Sequence, residues 1–446
     1  MRRGALLAVL CAAQVMLVLD LVVVTVALPA MRADLGIAEG DLQWVVTAYG
    51  LAYGGFMIVA GRAGDLYGHR RVLVTGLVVF IAASALAGLA AGAPLMFGAR
   101  ALQGLGAALV SPAALALVVT GFAEGEARNR ALGIWGAVGS GGAAAAGLVG
   151  GVLTDLVDWR AVFLVNLPIG VLVILVVLWA VPGGRPAGRA RLDLPGSVLL
   201  TAGAVLFVAA VSRAAGGVTF RVLGMAAGAV GLLGAFVVVE RAVRAPVVRL
   251  SMFRDPHVRY GNLVCALIAS AALVTQFFAT LHLQNVAGLG ALATGLVFAP
   301  VTLIIVVVSG KAGALVSRFG ARATLVAAAG CTALGLLAMA AGPAAIDGWA
   351  ALLPGLLISG LGAGLAYAPS MMVATTGVAD AEQGLASGLL NTSFQLGAPL
   401  GLALMSTVAA VAGGYQAAFL AALVFPALVL VAVQALPRES PAPQPE

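Results

Sequence analysis

Residues 1–31 read MRRGALLAVLCAAQVMLVLDLVVVTVALPAM: two arginines, then an apolar run broken by one acid, Asp20. A signal peptide also begins with basic residues, but its apolar core is only about 7–15 residues long. This run is about twice that length and no convincing cleavage site ends it, so it reads as a membrane-spanning helix over residues 5–30. The remainder of the chain repeats the pattern. Of 446 residues, 62% are hydrophobic and 9% charged, whereas a soluble domain carries roughly a quarter charged residues. Lipid is therefore the solvent for most of this chain.

Windows of about 20 residues place further spans near 42–60, 72–91, 95–120, 131–153 and 161–181. Two follow near 196–212 and 222–239, and six more near 260–282, 291–309, 323–341, 350–373, 384–411 and 416–436. The expectation is an all-α integral membrane protein of fourteen helices grouped six, two and six. A six-helix bundle would occupy 1–181. Cytoplasmic linkers and two extra helices would fill 182–259, and a second bundle 260–436. The Pro- and Glu-rich tail, 437–446, is expected to be disordered.

A net charge of +7 would suggest nucleic acid in a soluble protein, but here the basic residues sit in short loops, where they orient the chain in the membrane. With the N-terminus in the cytoplasm, the outer loops hold only Arg32, Arg160, Arg213 and Arg221, and Arg100 lies within a span. Every other Lys and Arg then falls on the cytoplasmic side, which puts both termini there and the protein in the cell membrane. Cys11, Cys265 and Cys331 each stand alone in an apolar segment, with neither metal-ligand spacing nor a disulfide framework. No nucleophile paired with a base, metal cluster or phosphate-binding loop supports an enzyme.

The loop after the second span, GRAGDLYGHRR (Gly61 to Arg71), has a counterpart in GALVSRFGAR (Gly313 to Arg322). Both run Gly, three residues, a polar residue, two more, Gly, then a basic residue. Both follow the second helix of a six-helix block. Two parallel repeats flanking a central pathway is the construction of many secondary transporters.

With these motifs the chain resembles the major facilitator superfamily, in particular its fourteen-helix drug:proton antiporter branch. LDLVVVTVALPAM in the first helix is similar to that branch's motif around an acid. GRAGDLYGHRR is similar to the superfamily's loop between helices 2 and 3, RALQGLGAALVSPA to its motif around a membrane arginine, and WRAVFLVNLPIG to the start of its sixth helix. The sequence departs from the branch at Ala146 and Gly147, where Gly-Pro is usual in the fifth helix, and at Val22 and Thr25, where Thr and Asn are usual. The resemblance implies two pseudo-twofold-related bundles around a central cavity, and efflux of lipophilic drugs or antibiotics by a monomer. It implies no cofactor or metal, the proton motive force being the energy source.

Only Asp20 and Arg100 carry charge well inside a span. A charge at the bilayer centre costs roughly 3 kcal/mol on insertion scales, which makes such residues functional candidates. Asp20 lies ~15 Å and Arg100 ~9 Å from the outer ends of their helices, at about 1.5 Å per residue, so the arginine can reach the acid. Such a pair suits proton coupling: desolvation favours a neutral carboxyl and a nearby guanidinium favours a charged one, so a motion that separates them moves a proton. A potential of ~150 mV acting on one charge supplies about 3.5 kcal/mol, enough for a gradient of roughly a few hundredfold. A salt bridge that only fixes helix packing is the alternative role.

Gly61, Arg62, Asp65, Gly68, Arg70 and Arg71 form a candidate conformational latch, in which glycines permit close approach and charges meet helix ends. In the second repeat Ser317 stands in the place of Asp65, so that latch should be weaker. Gly142, Gly147, Gly150 and Gly151 give the fifth helix a small surface for tight packing. Candidates for the substrate cavity are Gln14, Asn166, Gln276, Asn391 and Gln395, with Tyr49, Tyr53, Phe278 and Tyr367 as walls. An importer or facilitator of the same fold, and a transport-inactive sensor, are the competing functions, because fold alone does not fix function.

Overall fold

Runs of apolar residues without alternation cannot leave backbone groups unpaired in lipid, so they fold as helices. The computed structural model describes residues 2–122, 125–181, 193–243, 246, 248–345, 348–378 and 383–436. The tail at 437–446 and most of the first linker lie outside these. The helices are α1 (Arg2–Leu35), α2 (Trp44–Tyr67), α3 (His69–Gly88), α4 (Ala93–Gly121), α5 (Glu126–Leu156), α6 (Ala161–Leu164) and α7 (Asn166–Ala180). There follow α8 (Leu194–Ala214), α9 (Phe220–Ala242), α10 (Pro256–Asn285), α11 (Ala291–Ala345), α12 (Leu353–Thr375), α13 (Gln383–Ala412), α14 (Tyr415–Ala421) and α15 (Val424–Gln434).

Local chemistry sets several starts. Asp193, Thr219 and Asp255 cap α8, α9 and α10 by accepting from the backbone N–H of Gly196, Val222 and His257, each satisfying an amide with no helical partner. Proline follows in the first turn of α4, α8, α10 and α12, where its missing N–H is not needed.

Among the described residues, twelve stretches are long and apolar enough to cross a membrane, fewer than the fourteen expected. The expected spans 291–309 and 323–341 run together in the 55-residue α11, which leaves helical geometry only at Gly320. The fifth helix, α5, begins with the polar segment EARNR, and its described apolar part, Ala145–Leu156, is short. The expected spans 161–181 and 416–436 are each interrupted, between α6 and α7 and between α14 and α15.

The helices before α8 pack on one another, notably α1 on α5, α2 and α3 on α4, and α1 and α3 on α7. Those from α10 onward do likewise, with α11 on α12 and α10 on α12, α13 and α15. The two groups meet along α2–α13 and α5–α11, and α8 lies against both α2 and α13. At α5–α11 the backbones almost touch: a Cβ on Gly295 would collide with the Gly147 carbonyl, and one on Gly151 would lie 2.5 Å from Leu292 Cα. Gly142 and Gly150 face the other way, against Val15 and Val23 of α1. The glycines of the fifth helix thus serve two seams, spaced so that α1 and α11 each approach one face.

Candidate functional site: a buried ion pair beside an uncharged cavity

Asp20 sits mid-way along α1 and is 1% exposed; Arg100, on α4, is 0% exposed. Their side chains meet, with Arg100 Nη1 donating to Asp20 Oδ2 at 2.5 Å. Asp20 Oδ1 accepts two further hydrogen bonds, from Gln103 Nε2 and Asn166 Nδ2, each 3.0 Å long. Arg100 also donates from Nη1 to Gln103 Oε1 at 2.8 Å and from Nε to the Val45 carbonyl at 2.8 Å. Gln103 Nε2 reaches Ser84 Oγ at 2.7 Å. The Arg100 guanidinium lies 4.5 Å from the Tyr49 ring centre and 5.8 Å from that of Phe163, within cation–π range. One carboxylate thereby ties together α1, α2, α3, α4 and α7. A buried charge is tolerated only when paired and hydrogen-bonded in this way.

The sequence allows this packing through Gly104. A Cβ there would strike the Tyr49 carbonyl oxygen, so only glycine lets α4 come near enough to α2 for Arg100 to reach Val45.

A cavity of about 330 Å³ opens mainly among α10, α11 and α12, with Val22 and Val26 of α1 closing one side. Its lining contains the polar residues Thr275, Gln276, Thr302, Thr332 and Ser359 and no charged residue. Of the sequence-derived cavity candidates, Gln276 lines it. Tyr49 and Asn166 belong to the ion-pair network instead, and Tyr53 stacks edge-on to Tyr49 at 5.7 Å. Tyr367 donates to Asn391 Oδ1 at 3.0 Å and packs 5.7 Å from Phe394, itself a cavity residue. Phe278 is buried against Phe277, Tyr415 and Phe419. Gln395 lies at the α2–α13 crossing beside Gly54, and Gln14 is a half-buried residue of α1. Helical register decides these differences, because residues a few positions apart on one helix face opposite neighbours.

The ion pair and the cavity share α1. Gln276 Nε2 donates to Thr25 Oγ1 at 3.2 Å, and Gln284 Nε2 to the Val26 carbonyl at 2.8 Å. Asp20 therefore lies within two turns of residues that contact the second half of the molecule. At the end of the bundle reached by the α1 C-terminus, further contacts join the halves. Asp155 at the end of α5 accepts from the first amides of α11, Ala291 N at 3.2 Å and Leu292 N at 2.8 Å, a favourable anion position at a helix start. The Tyr415 hydroxyl lies 3.2 Å from Glu39 Oε1.

The paired glycine loops have matching backbones. Gly68 has φ 92° and ψ 129°, and Gly320 has φ 82° and ψ 157°, a region that residues with a Cβ rarely adopt. Two residues later in each repeat an arginine caps the last helix of its half: Arg70 Nη2 donates to the Leu178 carbonyl at 2.7 Å, and Arg322 Nη2 lies 3.5 Å from the Gln434 carbonyl. Cations are favourable at helix C-termini. Asp65 is exposed, with Oδ1 3.5 Å from His69 Nε2, and Ser317 donates to its own helix at Gly313. Substituting valine at either Gly68 or Gly320 is expected to abolish transport with membrane expression largely kept, since the strain of roughly 1–3 kcal/mol falls on a turn outside the core. Transport assays on membranes of matched protein content check this, and wild-type rates would reduce the loop to a topology signal.

A sealed intramembrane ion pair, an uncharged cavity and an all-helical, multi-pass frame together define a membrane transporter. The chain belongs to the Major Facilitator Superfamily, whose family model matches residues 10–402 and 312–446. It is 40% identical to the cephamycin export protein CmcT of Amycolatopsis lactamdurans, over 96% of this chain and 91% of that protein. It is 39% identical to the puromycin resistance protein pur8 of Streptomyces alboniger, covering 94% and 84%, and 35% identical to the multidrug resistance protein Stp of Mycobacterium tuberculosis, covering 89% and 74%. Among solved structures, a peptide transporter POT in complex with sulfate superposes with a TM-score of 0.71 at 17% identity, covering 96% and 94%. That likeness shows the fold.

Gln103 and Ser84 complete the Asp20 site and were not singled out from the sequence. Gln103 carried a signal, since three residues after Arg100 places it on the same helix face. Ser84, a small hydroxyl in an apolar helix that also holds Thr75, carried none.

Proposed function

We propose that this protein exports lipophilic organic molecules of the antibiotic class from the cytoplasm in exchange for protons, by alternating access. The observation that carries the reading is a buried carboxylate, both oxygens engaged and paired with Arg100, on the helix that also closes the cavity, in a chain similar over almost its whole length to named export and resistance proteins. A ligand in the cavity presses on Val22 and Val26 of α1, and a shift of α1 changes the separation of Asp20 from Arg100. A proton taken by Asp20 in turn weakens its hold on Arg100 and frees α1 to move. Each event biases the same two-state element. Proton-driven accumulation of antibiotic in inside-out vesicles tests the reading, and its absence under an imposed gradient overturns it.

The same reading has fourteen crossings, both termini in the cytoplasm, and a monomer as the working unit. In support, the 55 residues of α11 would extend ~80 Å at about 1.5 Å per residue, more than two bilayer cores of about 30 Å, and Gly320 offers the turn. The helix α5 supplies the remaining crossing. Single cysteines placed in the 182–195 and 240–259 linkers are expected to resist an impermeant thiol reagent in intact cells and to react after permeabilisation. Labelling from outside would refute the topology.

A further inference from the structure

The cavity's chemistry defines what it accepts more narrowly than lipophilicity does. None of its lining residues is charged. Asp20, on the helix that closes one side, is buried with both carboxylate oxygens engaged by Arg100, Gln103 and Asn166, and Asp155 is taken up by the first amides of α11. A cationic ligand would find no counter-charge there, and an unpaired charge in such surroundings is heavily penalised. An anion would fare no better, because Arg100 does not line the cavity and is already paired with Asp20.

Thr275 and Ser359 present hydroxyls with no partner inside the protein, whereas two other polar residues of the wall have a definite sense. Thr302 and Thr332 donate their hydroxyl protons to the Phe298 and Ala328 carbonyls one turn back, at 3.0 and 2.9 Å. A hydroxyl committed in this way still has lone pairs to offer, so these two side chains are acceptors toward a ligand. They stand on the two arms of α11, on either side of Gly320, among apolar neighbours such as Ile268, Phe298 and Phe394. The volume, about 330 Å³, is at the small end of ligand pockets.

We propose that this cavity, set in the second half of the molecule, binds an uncharged organic molecule that carries hydroxyl or amide donors on an apolar body. The transport part of the proposal rests on the export function above. Export of an uncharged molecule against entering protons moves net positive charge into the cell in each cycle, so the membrane potential alone should drive it. A singly charged cation exchanged for one proton would show no such dependence.

Two probes of comparable bulk separate the cases: chloramphenicol, uncharged with hydroxyl and amide donors, and tetraphenylphosphonium, a permanent cation without donors. With the full chain in lipid nanodiscs, chloramphenicol is expected to bind at least about tenfold more tightly, since each tenfold needs only about 1.4 kcal/mol. The double variant Thr302→Val with Thr332→Val should weaken chloramphenicol binding roughly tenfold by removing two acceptors, whereas serine at both positions should retain it. Equal or tighter binding of the cation, no binding of chloramphenicol, or indifference to the valine pair in protein that remains monodisperse would overturn the proposal. In inside-out vesicles at equal pH, a lumen-positive potential should accumulate chloramphenicol. Specific binding that no gradient converts into movement would overturn the export function while leaving the site assignment standing.

Discussion

Replacing Asp20 with Asn is expected to abolish proton-driven export while leaving substrate binding within a few fold of the native protein. Asparagine keeps the size of the side chain and can still accept from Gln103 and Asn166, which now hold Asp20 Oδ1 at 3.0 Å. It cannot take up or release a proton. The cavity is unchanged, because Asp20 does not line it. Reconstituted vesicles with an imposed pH gradient provide the measurement, with equilibrium binding as the control. Arg100→Ala should fail for a different reason. It removes the donors to Asp20, Gln103 and Val45 together, and breaking a buried pair from one side costs about 3–5 kcal/mol. Reduced thermal stability should accompany that loss. The double change Asp20→Asn with Arg100→Ala separates coupling from architecture. A purely structural salt bridge predicts recovery of gradient-driven transport in the double variant, and such recovery would sink the coupling role of Asp20.

A valine at Gly295 is expected to be as damaging, through a different seam. The added carbons would collide with the Gly147 carbonyl across the α5–α11 crossing, and backbone on both sides leaves neither helix a side chain to rotate away. The two halves must then separate where Asp155 and the start of α11 hold them together. Export should fall to background. A cysteine at Gln276, in the cavity wall, should become reactive toward an impermeant reagent added outside the cell. Continued protection of that cysteine together with normal export would show that the crossing tolerates expansion and that its close approach has no part in alternating access.

Both predictions depend on features that were legible to different degrees. Asp20 and Arg100 stand out because charge inside a span is expensive, so their presence needs a reason from the sequence alone. The paired loops around Gly68 and Gly320 were legible from spacing, and the two glycines prove to share one backbone conformation. The division into crossings was less so. Hydropathy locates the apolar stretches, but α11 continues as helix on both sides of a single glycine, so one element carries two of the expected spans.

Composition and apolar period, by themselves, determined that the chain is helical, multi-pass and built on repeated loops, because lipid forces every backbone amide to be satisfied within its own segment and that constraint acts locally. They determined equally that one acid and one arginine would be buried. Only the tertiary structure decided what surrounds them. Asn166 and Tyr49 turned from the cavity to the ion pair, Gln103 and Ser84 joined it, and the cavity opened among α10, α11 and α12 with α1 and Gly147 of α5 reaching across. Those outcomes depend on which face each helix presents to partners as much as 258 positions away in the chain. In an apolar helix almost every face is equally acceptable to lipid, so hydrophobic pattern carries little orientation; close contacts at glycines and a few hydrogen bonds set it instead.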